Sequence, residues 1–87
     1  MINLLYIIIF VSNGAFEKDV CEIATSCRLI QKWQMNKCEM CVNDIYNKYK
    51  KSLPNDKNFI INYLKSESCQ SINKYAKEFG LFECIQK

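Results

Sequence analysis

Cys38-Glu39-Met40-Cys41-Val42-Asn43-Asp44-Ile45-Tyr46-Asn47-Lys48-Tyr49 is the stretch whose period sets the fold class. Cys38, Val42, Ile45, Tyr49 and, just beyond, Leu53 recur three and four residues apart, which lays their side chains along one face of an α-helix. Asn36 precedes the stripe and Glu39 follows it by three residues, so the spacing predicts a capped helix start. The helix should stop before Pro54, because the residue ahead of a proline is pushed out of the helical region.

The same period runs outward from this segment. Glu17 to Lys32 reads as a first helix, with Val20, Ile23 or Ala24, Cys27 and Ile30 on one face. Glu17, Asp19 and Glu22 sit in its first turns, where the helix dipole favours acids. Downstream, Asn55 or Asp56 can cap a third helix that carries Phe59, Ile60, Tyr63 and Leu64 and runs to about Ser68. Ser71 opens a fourth, with Ile72, Tyr75, Ala76 and Phe79 as its apolar face, and Gly80 suits a left-handed stop. Leu81-Phe82-Glu83-Cys84-Ile85 is apolar enough to pack back on the rest. With only two Gly and one Pro in the chain, the expectation is an all-α fold, a small disulfide-stabilised bundle of four to five helices.

The compartment follows from the N-terminus and the cysteines together. Leu4 to Val11 is an unbroken apolar run followed by Ser12-Asn13-Gly14-Ala15, the shape of a secretory signal peptide cut after Gly14 or Ala15. The alternative for this run is a short buried helix or strand. It falls well short of the roughly 20 residues of a membrane span. The chain therefore divides into a signal peptide at 1–15 and one six-cysteine helical domain at 16–87, with no linker or repeat. An even cysteine count in a small exported chain reads as a disulfide framework, and a domain of this size needs such staples because its core is small. The net charge of +3 is too mild for a nucleic-acid binder.

Placed on these helices, Cys21 and Cys27 lie on the first, Cys38 and Cys41 open the second, Cys69 ends the third and Cys84 follows the fourth. An antiparallel hairpin turning near Trp33 to Asn36 would nest Cys27–Cys38 inside Cys21–Cys41 and leave Cys69–Cys84 to close a second hairpin. The competing arrangement is a knotted or overlapping pairing, one of the 15 that six cysteines allow.

A Cys-x5-Cys pair at Val20-Cys21-Glu22-Ile23-Ala24-Thr25-Ser26-Cys27, a Cys-x2-Cys pair at Cys38 to Cys41 and the widely spaced Cys69 and Cys84 together resemble the saposin-like proteins in permuted, swaposin-like order. The order is permuted and the final gap is longer than the family's central spacing. The resemblance implies the same three pairs, Cys21–Cys41, Cys27–Cys38 and Cys69–Cys84. It also implies lipid chemistry without a catalytic centre: membrane binding, lipid transfer, activation of a lipid hydrolase or membrane permeabilisation.

The residues allow such a role. Trp33 and Met35 flank the first turn beside Lys32 and Lys37, an aromatic and cations of the kind found at membrane interfaces. Lys48, Lys50, Lys51 and Lys57 crowd the second turn, where each could contribute about 1 kcal/mol at an anionic surface. The plainer reading makes these lysines merely solvated and Trp33 a plug for the core. For Tyr46, Tyr49, Tyr63 and Tyr75, core packing is favoured over ligand contact. The chain has no His, which weighs against an acid-triggered pore former and rules out a Ser-His-Asp triad. Cys38-x2-Cys41 at a helix start could lower a thiol pKa, but it reads as a pair of half-cystines, and no cofactor or metal is implied. The expected partners are an anionic lipid or membrane surface and no nucleic acid. The alternative class is a secreted peptide effector, toxin-like or hormone-like, that docks to a channel or receptor; a third is a structural or pro-segment module.

Overall fold

A computed structural model of the chain describes residues 16–87; the leader expectation falls on residues 1–15, outside the described part. The described chain is all-helical, with α1 at residues 16–26, a 3-10 turn Lys32–Gln34, α2 at Met35–Tyr49, α3 at Lys57–Ser66, α4 at Cys69–Glu78 and α5 at Leu81–Gln86. No helix among the described residues is long and apolar enough to cross a membrane.

α1 ends six residues earlier than the periodicity predicts. Arg28 adopts a left-handed conformation, φ 60°. Around it the Leu29 N–H donates to the Ala24 carbonyl at 2.9 Å and the Arg28 N–H to the Thr25 carbonyl at 2.9 Å, a Schellman termination. An L-residue there costs about 1–2 kcal/mol, and glycine is the usual occupant. The cost is offset because the turn sends Ile30 into the core and Leu29 against it, and because Cys27 is covalently held. The chain then swings through the 3-10 turn, where the Gln31 N–H donates to Gln34 Oε1 at 2.8 Å. α2 therefore begins at Met35 with Gln34 as its cap residue, and Asn36 lies inside the helix instead of capping it.

The later boundaries fall within a few residues of the local signals, although α2 ends at Tyr49, short of Pro54, and leaves Leu53 in the loop. Asp56 caps α3, its carboxylate accepting from the Asn58 N–H at 2.9 Å. Ser68, three residues before the expected Ser71, caps α4 and accepts from the Ser71 N–H at 3.2 Å. Gly80, at φ 76°, turns the chain between α4 and α5. The tail folds back as α5, burying Leu81 and Ile85.

The disulfides correct the nested pairing. They join Cys21 to Cys38, Cys27 to Cys69 and Cys41 to Cys84, with Cα separations of 6.0, 5.3 and 5.9 Å. None of the pairs Cys21–Cys41, Cys27–Cys38 and Cys69–Cys84 forms, and the overlapping alternative holds. The likeness to saposin-like proteins thus does not extend to the connectivity. Axial levels explain the outcome. On continuous helices Cys21 and Cys27 stand about 9 Å apart and Cys38 and Cys41 about 4.5 Å, so nested bridges could not both be level. Cys69 opens α4, about 15 Å from the Gly80 turn, whereas Cys84 lies only a turn beyond it. A bridge needs Cα atoms within about 7 Å, so Cys84 meets α2 instead.

All six cysteines are oxidised, which fits an oxidising, extracytosolic compartment. By loop closure the short link contributes about 3 kcal/mol and each long one about 4 kcal/mol. The bridges run as one path, α4 to α1 to α2 to α5, and they omit α3. Among the described residues the largest fully buried side chains are Cys21, Cys38 and Cys41, so sulfur forms the centre of a thin core. Phe16 is the one buried aromatic among the described residues.

Candidate functional site

The large apolar side chains that a thicker core would absorb surround a cleft instead. It has a volume of about 400 Å³, in the range of small-molecule sites. One wall comes from α1 and α2 through Phe16, Val20, Val42, Ile45 and Tyr46. The floor is α4 and the start of α5, with Ile72, Tyr75, Ala76, Phe79 and Leu81. α3 supplies the opposite wall through Phe59, Ile60, Tyr63 and Leu64, extended by Leu53 and Pro54 of the preceding loop. The stripe read from the sequence on α3 is thus a cleft wall: Phe59 is 57% and Tyr63 44% exposed, and it is Ile61, outside that stripe, that enters the core.

Among the described residues, tyrosine hydroxyls are the only polar side-chain groups on this lining. Those of Tyr63 and Tyr75 hydrogen-bond to each other at 2.7 Å, linking α3 to α4. This bond, with the Glu67 carboxylate beside it, raises the Tyr63 pKa above the ordinary phenolic value. Tyr49 packs edge-on against Phe79 with ring centroids 5.1 Å apart, and Phe16 does the same with Tyr46 at 5.2 Å. Three of the four tyrosines expected in the core, Tyr46, Tyr63 and Tyr75, therefore line the cleft. A second depression adjoins it at Ile23, Leu64 and Ile72 and differs in chemistry, being lined by Asp19, Glu22, Glu67 and Lys65.

The two lysine-bearing turns lie at opposite ends of α2, a helix about 22 Å long. In the first, Trp33 is 81% exposed and does not plug the core, and Lys32 and Lys37 are exposed beside it. Met35 departs from the interface expectation: it packs against the core, its sulfur 3.3 Å from the Thr25 hydroxyl, which donates to the Cys21 carbonyl at 2.8 Å. Met40, not singled out by its spacing, is 66% exposed on α2. In the second turn Lys48, Lys50, Lys51 and Lys57 are all exposed. The Lys48 ammonium lies 5.3 Å from the Tyr49 ring centroid. Lys57 sits over two rings of the cleft, 4.9 Å from the centroid of Tyr46 and 5.2 Å from that of Phe16. The cleft itself gives no motif in the sequence; the one available signal was an excess of large apolar residues over what so small a core can bury.

No protein-family model, curated protein or solved structure matches the chain.

Proposed function

We propose that this is a secreted lipid-binding protein that takes a hydrocarbon chain into the cleft between α3 and the cross-linked helices, and that it acts by binding, without catalysis. The cleft carries the reading: about 400 Å³ of space whose only polar side-chain groups, among the described residues, are tyrosine hydroxyls. Water in such a space finds too few partners, whereas a hydrocarbon chain loses nothing by entering it. At roughly 30 Å³ for each water-sized group, the space takes one chain of about a dozen methylenes. Exposed Trp33 with Lys32 and Lys37 supports an approach to anionic membranes through the first turn. This is the class of function the saposin-like resemblance implies, reached here from the cleft and not from the disulfide pattern.

The test is displacement of a neutral fluorescent naphthylamine by n-alkanols of increasing length. Each methylene buried is worth about 0.8 kcal/mol, so affinity should rise about fourfold per carbon and level off once the cleft is full. No probe uptake by the oxidised, folded protein sinks the reading. Indifference to anionic vesicles as well would favour the receptor-directed effector.

A further inference from the structure

Resting on that reading of the cleft, we propose that Lys57 is the head-group residue of the site and that the preferred ligand is a single-chain fatty-acid-type carboxylate. Lys57 opens α3 at the rim of the cleft, and its ammonium lies over the faces of Phe16 and Tyr46, two rings that line it. Aromatic faces attract a cation without neutralising its charge or using up its three N–H donors. The adjacent acid, Asp56, is engaged elsewhere, its carboxylate accepting from the Asn58 N–H at 2.9 Å to cap the helix. The Lys57 ammonium thus stands where an apolar lining gives way to solvent, ready to accept an anion.

Charge also orients the ligand. Lys48, Lys50 and Lys51 are exposed at the same end of α2 as Lys57. Where the cleft adjoins the second depression it meets Asp19, Glu22 and Glu67, offset only by Lys65. An anionic head at that end would face three carboxylates, so the head belongs at Lys57 and the tail runs along Ile45, Ile60 and Ile72. A single ammonium, a point charge without the planar fork of arginine, suits a monoanionic carboxylate.

The experiment is calorimetric titration of the oxidised protein with dodecanoate, dodecanol, dodecyl phosphate and dodecyltrimethylammonium. Dodecanoate should bind about fivefold more tightly than dodecanol, the scale of a partly exposed ion pair, and the trimethylammonium should be the weakest. Lys57→Met should remove the advantage of dodecanoate over dodecanol, while Lys57→Arg retains it. Circular dichroism melts establish that both variants are folded. Equal binding of acid and alcohol, a preference that survives Lys57→Met, or dodecyl phosphate bound better than dodecanoate would each overturn the proposal and leave the cleft reading standing. Failure of all four ligands to bind would remove both.

Discussion

The four bridged helices and α3 are built on different principles. α1, α2, α4 and α5 are joined by an unbroken path of disulfides whose sulfurs form the centre of the core. α3 carries no cysteine and puts one buried residue, Ile61, into that core, turning Phe59 and Tyr63 to the cleft and solvent. Its C-terminal end is tied down, because Cys69 follows within three residues, while its N-terminal end hangs on the Lys50–Asp56 loop. A frame that cannot relax can hold a space open, and a helix free of that frame can adjust to what fills it.

Breaking the frame should produce the largest effect. Cys41→Ala with Cys84→Ala opens a link of sequence separation 43 and should cost about 4 kcal/mol, lowering Tm by on the order of 20 °C. A loss below about 1 kcal/mol in denaturant unfolding would mean that the bridges do not organise the fold. Next come two core truncations that separate the regions. Ile85→Ala and Ile61→Ala both remove buried side chains, a change worth about 2–4 kcal/mol. The Ile85 variant should lose this from global stability. The Ile61 variant should show it chiefly as faster hydrogen exchange confined to α3, and equal slowing or speeding across α2 and α3 would erase the distinction.

A smaller effect, of opposite sign, is expected at the end of α1. Arg28→Gly relieves a left-handed L-residue and should raise stability by about 0.5–1 kcal/mol, less than the full strain because glycine also frees the unfolded chain. A destabilised variant would show that the arginine side chain contributes more than its backbone costs. Smallest of all, Phe59→Ala should change stability by under about 0.5 kcal/mol, since the ring is largely exposed, yet weaken alkanol binding at the α3 wall. Unchanged binding would take α3 out of the site.

Local chemistry was legible where a residue acts on its own neighbours. The Cys38–Val42–Ile45–Tyr49 stripe, the Asp56 cap and the Gly80 stop each did what their immediate surroundings require. The end of α1 was not legible, because an arginine in the left-handed region leaves no signal; the favourable terms that hold it there come from Ile30 in the core and from a cysteine 42 residues away. Trp33 and the lysines of both turns are exposed while Met35 packs against the core, a difference that spacing does not show, since a side chain near a turn can face either way.

Composition, cysteine count and apolar period determined by themselves that this protein is helical and small, with sulfur doing much of the work of a core. Which sulfurs meet, and whether the apolar stripe of α3 is buried or lines a cleft, was decided only in three dimensions. Both depend on where helix ends fall along neighbouring axes. A shift of one turn, about 5 Å, is invisible in a periodic sequence, yet it changes every partner a cysteine can reach.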